Sequence, residues 1–328
     1  MGAEFPAKGS PMLDVVVVGR REEAEGIASL ELRPMPGEWL PSFTAGAHIE
    51  VHVPTDQGVL HRHYSLANDP SERHRYVIAV GRDPASRGAS RWIHDHLREG
   101  QLLRIGEPRN NFPLVEDAAR SVLIAGGIGI TPLLAMARRL STLNRKWSLY
   151  YCARTPARAA FLQDLLNLGG EVVPVFDAMA GVAKLDLHAL VASTATDTHL
   201  YCCGPGSLLE AFLDAAGTRD KQTVHVEWFS APPESSPGMG SDSAFTVRLA
   251  RSNLTLQVGA DQSILEVVRA AGVDVAHSCL EGICGSCETK VVSGECDHRD
   301  LILADPTCHK SMMICVSRAK GDEITLDL

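Results

Sequence analysis

The sequence predicts a multidomain protein with an antiparallel β-barrel, an α/β domain built on a parallel sheet, and a small α+β domain. Three observations support this: apolar residues alternate with period two before residue 82, strands alternate with helices from residue 121, and a cysteine-rich loop lies near the C-terminus. A chain of 328 residues that is 45% hydrophobic is long enough for two or three domains. The expected boundaries are 12–114, 115–230 and 242–328, with a linker at 231–241.

Composition excludes several classes of partner. The net charge of −9 argues against nucleic acid and against an anionic membrane surface. The run from Val122 to Ala137 is too short and too rich in glycine to cross a bilayer, and the N-terminus lacks a secretory signal. A cytoplasmic location is therefore expected, with residues 1–11 as a disordered leader.

The first domain is expected to be a small antiparallel barrel. Its strands are Val15–Val18, Ser29–Leu32 and His48–Val53, which alternate in period two between Pro and Gly breaks. His48 and His52 stand four residues apart, which on a strand places them along one face. They are interpreted as solvated or pairing groups, and metal binding is not expected there.

Two further strands and a helix complete this domain. The strands are Leu60–Leu66 and Tyr76–Arg82, and the helix Arg91–Leu97 follows the loop that contains Gly88. A glycine-bearing loop at a helix start offers free backbone N–H groups and the positive end of the helix dipole, which suit a phosphate. With Arg62 and Arg87 expected near each other in the barrel, this pattern indicates a phosphate-bearing flavin.

The second domain alternates strands and helices. A tight turn, Gly126–Pro132, joins a buried strand at Val122–Ala125 to a helix at Leu133–Leu140, and Pro132 stands where a dinucleotide motif has its third glycine. Ligands of parallel sheets bind at the carboxyl ends of the strands, so Gly127, Thr131 and Cys203 are expected on one rim. The other predicted elements are strands 147–154, 171–176, 199–203 and 224–229 and helices 157–168 and 207–216.

The third domain follows a stretch rich in Pro, Gly and Ser. Strands are expected at Phe245–Leu249 and Leu254–Val258, joined by a turn at Ser252–Asn253. A helix from Ile264 is capped by Ser263 or Asp261 and stops at Gly272.

The cysteine loop carries the most specific signal. Cys279, Cys284, Cys287 and Cys315 have the C-x4-C-x2-C…C spacing of plant-type [2Fe–2S] centres. Gly282 and Gly285 suit backbone that wraps a cluster. A zinc site would favour paired C-x2-C motifs or histidines, and disulfides are disfavoured by nine cysteines without a secretory signal. Cys152, Cys202, Cys296 and Cys308 are expected to be small buried apolar residues.

Five motifs in this order resemble those of the phthalate dioxygenase reductase family. They are Arg62-His63-Tyr64-Ser65, Gly88-Ala89-Ser90, the Gly126–Pro132 turn, Cys203-Gly204-Pro205 and the four-cysteine loop. The resemblance extends from about Val15 to the C-terminus. It implies an FMN-binding barrel, a pyridine-nucleotide domain and a C-terminal ferredoxin domain, in a reductase component of Rieske oxygenases.

The resemblance also implies roles for individual residues. Thr131, Cys203 and Glu227 are expected at the site of hydride transfer, and Phe229 is expected against the flavin ring. The residues expected to hold FMN are Arg62, His63, Tyr64, Ser65, Ala79, Val80, Gly81, Arg87, Gly88 and Ser90. Those expected to hold the nicotinamide nucleotide are Gly127, Gly129, Thr131, Pro132, Arg154, Cys203, Gly204 and Pro205.

The expected cofactors explain why three domains are needed. NADH gives up two electrons as a hydride, whereas a Rieske centre accepts one at a time, so FMN and the [2Fe–2S] cluster must convert between the two. NADH is the family's usual donor, although Arg154 at the end of the second strand also suits the 2′-phosphate of NADPH.

A separate Rieske oxygenase is the expected partner. It is expected to dock transiently on charged residues around the cluster, namely Glu281, Glu288, His298, Arg299 and Asp300. Three alternatives stay open from the sequence: a donor to a cytochrome P450, a self-sufficient NADH:acceptor flavin reductase, and a redox sensor without a turnover partner.

Overall fold

Alternating apolar residues build the first sheet. A computed structural model of the chain describes residues 12–56, 58–83, 88–231, 243–303 and 310–328. The described strands of this sheet are antiparallel and lie in the order β4-β3-β6-β1-β2-β5. A bridge between Leu66 and Ile78 connects the two ends of that order. The strands are β1 (Met12–Ala24), β2 (Ile27–Pro34), β3 (His48–Thr55), β4 (Gly58–Ser65), β5 (Tyr76–Gly81) and β6 (Leu102–Gly106).

The interior of this barrel is apolar. Val15, Leu30, Ile49 and Val51 are fully buried, and each contributes about 1.5–3 kcal/mol through burial of its side chain. Helix α1 (Ala89–His96) covers one side with the buried side chain of Ile93. The predicted antiparallel barrel is confirmed.

The second sheet is parallel, as predicted. Its described strands are parallel and lie in the order β11-β10-β7-β8-β9. Successive strands are added on one side of β7 up to β9 and on its other side from β10 onward, so the sheet has a switch point between β7 and β10. Ligands of open α/β sheets bind at such a switch point. The elements are β7 (Arg120–Gly126), α2 (Ile130–Thr142), β8 (Lys146–Ala153), α3 (Leu162–Leu166), β9 (Glu171–Phe176), α4 (Leu187–Ser193), β10 (His199–Cys203), α5 (Gly206–Ala215) and β11 (Val224–Glu227).

The prediction of a helix at 157–168 is wrong for the first half of that range. A short 3₁₀ turn occupies Pro156–Arg158, and α3 begins only after Phe161, whose φ of 59° is left-handed. Ala160 and Phe161 are buried in the core at this bend. Tertiary packing therefore overrides the high helix propensity of the alanines. Helix α4, which the sequence did not predict, begins where the Asp186 carboxylate accepts a hydrogen bond from the backbone N–H of Ala189.

The third sheet belongs to the C-terminal region and is mixed. Its described strands lie in the order β13-β12-β18-β14-β16, with β12 parallel to β18. Strands β15 and β17 pair with each other in a separate two-stranded antiparallel sheet. The elements of this region are β12 (Phe245–Leu249), β13 (Leu254–Val258), α6 (Ile264–Ala270), β14 (Glu288–Ser293), β15 (Cys296–Asp297), β16 (Ser311–Met313), β17 (Arg318–Ala319) and β18 (Glu323–Leu326). Ser263 and Glu266 form a capping box at the start of α6, and Gly272 has φ of 83° just beyond its end.

The described residues separate into two compact units, 12–229 and 230–328. The first contains the barrel and the parallel sheet, and the second contains the mixed sheet. The boundary expected near residue 114 stays a prediction, and the expected linker lies outside the described residues except for Ala231. No helix in the described part of the chain is both long and apolar enough to cross a membrane.

Candidate redox site

Two turns meet at the switch point of the parallel sheet. Gly126 ends β7 and is followed by a turn with Gly127 and Gly129, and Cys203 ends β10 and is followed by a turn with Gly204. A Cβ on Gly129 would lie 2.2 Å from the carbonyl oxygen of Cys203, and one on Gly204 would lie 2.9 Å from Cα of Gly126. Only glycine allows this backbone approach, so these residues set the shape of the crevice.

A cavity of about 970 Å³ opens at this edge of the sheet. Gly127 lines it with φ of 53°, and a Cβ there would meet no atom within 4 Å. Of the residues expected to bind a cofactor, the cavity is lined by Gly81, Gly127, Arg154 and Pro205. Its size and its position above a glycine turn fit a dinucleotide.

The cavity also contains charged residues that the sequence analysis did not single out. They come from several separate elements, including barrel loops, α1 and the loops of the parallel sheet, so no single sequence pattern could have indicated them. They are Glu25, Arg82, Asp83, Arg91, Arg158, Asp177 and Lys184.

The partly buried carboxyl group of Glu227 lies between residues of three strands. Glu227 is aligned with Cys203 across β10 and β11, and Oε2 lies 4.0 Å from the Cys203 Sγ. Burial raises the pKa of Glu227 to about 8, and a hydrogen bond with the Ser65 side chain acts in the opposite direction. Burial also raises the pKa of the Cys203 thiol well above its ordinary value, and the nearby Glu227 adds to this. The fold thus brings together Ser65 from β4, Cys203 from β10 and Glu227 from β11.

The motif on β4 divides between two faces of the strand. His63 pairs with Glu50 on β3, whereas Arg62 and Tyr64 lie on the opposite face. Burial raises the pKa of the Tyr64 hydroxyl, which therefore stays neutral and able to donate a hydrogen bond. Ser65 ends the strand and is buried.

β5 and the start of α1 form the neighbouring surface. Ala79 and Val80 are buried, and a Cβ on Gly81 would lie 3.8 Å from the side chain of Ile128, which belongs to the turn after β7. Gly88 precedes α1 with φ of 109°, and Ser90 Oγ lies 3.3 Å from the backbone nitrogen of Asp83. These features fit a bound phosphate. Arg87 lies outside the described residues.

Three further residues expected at the site occupy distinct environments. Thr131 is buried in the first turn of α2, where its hydroxyl donates to the carbonyl oxygen of Ile128 at 3.0 Å. Pro132 follows it and is also buried, which agrees with the predicted position of this proline in the first helical turn. Phe229 follows β11 with 40% of its surface exposed, so its ring is available to a ligand.

The four predicted ligand cysteines converge in the C-terminal unit. Cys284, Cys287 and Cys315 are buried and Cys279 is partly buried. Hydrogen bonds connect the Cys279 side chain to Cys284 and to Cys315, and connect Cys287 to Cys315. Contacts with Cys284, then Cys315, together with the backbone N–H of Glu281, lower the pKa of Cys279.

The loop backbone supplies hydrogen-bond donors to the sulfur atoms. The N–H of Glu281 lies 3.3 Å from the Cys279 Sγ, and the N–H of Ser286 lies 3.5 Å from the Cys284 Sγ. Leu280, Gly282 and Gly285 have φ of 63°, 70° and 78°, which turn the chain around the sulfur atoms. Four converging thiols with backbone donors fit a [2Fe–2S] cluster. Among the other cysteines, Cys202 is buried as expected, Cys152 and Cys296 are partly buried, and Cys308 lies outside the described residues.

The charged residues expected around the cluster do not all reach the surface. The side chain of Asp300 is fully buried and that of His298 is 11% exposed. The Asp300 carboxylate accepts hydrogen bonds from the backbone N–H groups of Ile302 and Leu303 at 3.3 and 2.8 Å. Asp300 thus stabilises the loop and is not a docking residue, contrary to the prediction. Glu288 and the apolar Leu280 are exposed.

Comparison with known proteins places the chain in one family. Residues 247–320 match the family model of the 2Fe-2S iron-sulfur cluster binding domain. The phenoxybenzoate dioxygenase subunit beta of Ectopseudomonas oleovorans is 45% identical over 93% of this chain and 94% of its own length. The vanillate O-demethylase oxidoreductase of Pseudomonas sp. (strain HR199 / DSM 7063) is 44% identical over 97% of this chain and 100% of its own.

Solved structures agree over the same length. A phthalate dioxygenase reductase structure is 41% identical, matches with a TM-score of 0.69, and is covered over 98% of its chain and 97% of this one. An intact type IV self-sufficient cytochrome P450 monooxygenase is 39% identical, with a TM-score of 0.89 over 99% of this chain but 43% of that longer one. The chain therefore belongs to the phthalate dioxygenase reductase family and is a pyridine-nucleotide-dependent oxidoreductase with a flavin and a [2Fe–2S] cluster.

Proposed function

We propose that the chain is the reductase component of a two-component Rieske oxygenase of the aromatic-ring dioxygenase or demethylase type. It passes electrons from NADH through FMN to its own [2Fe–2S] cluster and on to the oxygenase. The observation that carries this proposal is that one chain holds both a dinucleotide-sized cavity at a switch point and a converging set of four ligand cysteines. Relatives named as parts of phenoxybenzoate dioxygenase and vanillate O-demethylase support the choice of acceptor.

The bound groups supply the electron chemistry, because a flavin accepts a hydride and releases electrons one at a time to a cluster. The chain binds and orients them. Arg62, Tyr64 and Ser65 would contact the flavin from β4, with His63 on the outer face of that strand. Ala79, Val80 and Gly81 would line the ring edge, and Gly88 and Ser90 would hold the phosphate. Arg87, which the sequence predicts at the phosphate, lies outside the described residues.

FMN is the proposed flavin because the order of the domains resembles that of the FMN-binding phthalate dioxygenase reductase family, and among the described residues the start of α1 suits its single phosphate. Extraction and chromatography of the flavin test this choice, and recovery of FAD would contradict it.

The nicotinamide nucleotide occupies the cavity at the switch point. Gly127, Gly129, Thr131 and Pro132 shape one turn and Cys203, Gly204 and Pro205 shape the other. Burial raises the pKa of Glu227 to about 8 and that of the Cys203 thiol well above its ordinary value, which favours the uncharged form of both groups near pH 7. A neutral pocket suits an uncharged dihydronicotinamide ring, with Phe229 nearby to cover the flavin.

NADH is the proposed donor. Arg154 lines the cavity, but so does Asp177, and a carboxylate suits the ribose hydroxyls of NADH and repels a 2′-phosphate. The kcat/KM for each nucleotide in a ferricyanide assay tests the assignment, and a higher value with NADPH would overturn it.

Electrons leave through the cluster on Cys279, Cys284, Cys287 and Cys315. Leu280, Glu281, Glu288 and Arg299 are the proposed docking residues around it, since electron transfer needs close but transient contact. A cytoplasmic location stays a prediction.

The test is to mix the holo-reductase with NADH and an oxygenase encoded beside it, and to follow reduction of the Rieske chromophore. We expect the Rieske centre to be reduced within one turnover of the oxygenase, and we expect added salt to slow this reduction. If NADH reduces the cluster while the Rieske centre stays oxidised, the proposed acceptor is wrong.

A haem acceptor is the second candidate. The similarity to part of a self-sufficient cytochrome P450 favours it, because in that protein a comparable segment shares one chain with a P450. Formation of the ferrous–CO spectrum of an added P450, without reduction of a Rieske oxygenase, would select this alternative. Rapid NADH oxidation with neither protein present would instead indicate a self-sufficient reductase.

A further inference from the structure

Two neighbouring barrel strands place several imidazoles around one carboxylate. In the antiparallel register of β3 and β4, His52 is aligned with His61 and Glu50 with His63. Residues two apart on a strand share a face, so all four side chains lie on the same face of the sheet. That face is opposite to the one that carries Arg62 and Tyr64.

The donor atoms of three of these residues converge. Glu50 Oε1 lies 2.8 Å from His52 Nε2 and 3.2 Å from His61 Nδ1. The three ligand atoms all lie within 4.8 Å of one another. The rings of His52 and His61 stack with centroids 4.0 Å apart. Because an imidazole lone pair lies in the plane of its ring, one of the two rings turns when both nitrogens bind a single cation. In a tetrahedral zinc site with bonds near 2.0–2.1 Å, neighbouring ligand atoms are roughly 3.3 Å apart.

Contrary to the expectation from the sequence that His52 binds no metal, we propose that Glu50, His52 and His61 form a binding site for a divalent cation of the zinc class. Two imidazoles and a carboxylate form a typical three-residue zinc ligand set with one position left for water. His63 Nε2 lies 3.6 Å from the other carboxylate oxygen, Oε2, and orients the carboxylate from outside the ligand set. This site is separate from the cysteine loop and lies outside the proposed electron path.

The surroundings allow a cation to enter and remain. The His61 side chain is 38% exposed, while those of Glu50, His52 and His63 are 19–20% exposed, so the site is open on one side. Arg104 is aligned with His52 on the other neighbouring strand, and its guanidinium pairs with Asp14 at 3.0 Å. This pairing moderates its repulsion of a cation.

A bound cation would cross-link β3 and β4 directly beside the segment from Arg62 to Ser65. Zinc should therefore raise the temperature at which the barrel unfolds, since a ligand that binds only the folded state stabilises it.

Equilibrium dialysis of the holoprotein against ZnCl2 at micromolar free zinc tests the site. The flavin and cluster are loaded beforehand, so that iron occupies the cysteine loop. Zinc and iron are then measured by mass spectrometry. One zinc per chain is expected, with at least about tenfold weaker binding in His52→Ala and in His61→Ala. The matched control is His188→Ala, because His188 forms an exposed pair with Asp214 at 3.2 Å and should bind zinc no differently from the unaltered chain.

His61→Gln provides the comparison if an alanine variant loses its flavin. It preserves side-chain bulk, and full flavin and iron content shows that it is folded. Zinc binding that is equal in the unaltered chain and in folded His61→Gln would overturn the proposal. So would an unaltered chain that binds no zinc, or a loss of binding in His188→Ala equal to that in His52→Ala.

Discussion

The raised pKa of the Glu227 carboxyl makes the stability of the folded chain depend on pH. Its pKa is raised to about 8 by burial, from an ordinary value of 4.5 that it regains on unfolding. A group whose pKa is higher in the folded state contributes stability that is fully present below pH 4.5. That contribution is lost as the pH rises through about 8. Glu227 should therefore destabilise the barrel and parallel sheet in alkaline solution.

Replacing Glu227 by Gln should remove this pH dependence. Relative to the variant, the unaltered chain is expected to lose up to about 5 kcal/mol of unfolding free energy between pH 4.5 and pH 8, since one pKa unit corresponds to about 1.4 kcal/mol. Urea unfolding followed by flavin fluorescence measures this difference. Glu210→Gln, on the exposed side of α5, is the control and should leave the pH profile unchanged. Parallel curves for the unaltered chain and Glu227→Gln would refute the assignment.

Substitution of Cys284 should remove the cluster without affecting flavin binding. Its sulfur lies in a buried loop that contacts Ser286, within a unit whose apolar core is its own. Cys284→Ser should abolish the cluster absorbance and leave flavin content unchanged. Cys296→Ser is the control, because Cys296 lies outside the four-cysteine set and burial raises its thiol pKa to about 12. Retention of iron and sulfide in Cys284→Ser would contradict this prediction.

At the residue scale, the spacing of the cysteines indicated which of them would bind a cluster, but the sequence did not indicate that Asp300 is buried. The C-x4-C-x2-C spacing, which is that of plant-type [2Fe–2S] loops, singled out Cys279, Cys284 and Cys287, with Cys315 as the predicted fourth ligand. It could not show that Asp300 turns inward. The Asp300 carboxylate is held by backbone N–H groups of its own loop, and only the folded loop reveals these.

At the scale of elements, the two glycine turns of the parallel sheet depend on each other. Gly129→Ala would place a Cβ 2.2 Å from the backbone carbonyl oxygen of Cys203, which cannot yield as a flexible side chain does. We expect a loss of about 3 kcal/mol or more in stability, at the upper end of overpacking costs, together with weakened NADH binding. Thermal unfolding and the KM for NADH report the two effects.

Gly206→Ala is the matched control for that substitution. Its Cβ would meet Trp228 at 3.6 Å, an ordinary contact, and it stands at the start of α5 in the same region. Equal melting temperatures for Gly129→Ala and the unaltered chain would contradict this prediction. They would show that the backbone of the two turns can move apart to accept a Cβ at little cost in stability.

Sequence patterns predicted elements where local and tertiary preferences agree. Strands β7 to β11 and the capped helix α6 follow from apolar runs and cap residues. The bend at Phe161 does not, because its left-handed backbone depends on burial of Ala160 and Phe161 in the core. The convergence of His52 and His61 on Glu50 likewise depends on strand register, which sequence alone leaves open.

At the scale of the whole molecule, the order of motifs predicted the architecture more reliably than any single motif. The barrel, the parallel sheet and the cysteine-rich unit each have a recognisable sequence period, and the described residues contain all three. The charged lining of the nucleotide cavity was missed because Arg82, Asp177 and Lys184 come from separate loops. Only the folded chain brings such residues to one cavity.

The two compact units predict separable functions. The apolar cores of residues 15–216 and of residues 245–328 contain no common residue, so a chain that ends at Phe229 should fold and bind flavin. It should reduce ferricyanide with NADH as fast as the full chain, because hydride transfer needs only the first unit. It should fail to reduce the oxygenase, because the four cysteines are absent. Full-length Cys284→Ser should behave in the same way, which separates loss of the cluster from loss of the surrounding unit. Oxygenase reduction at full rate by the shortened chain would show that electrons leave directly from the flavin.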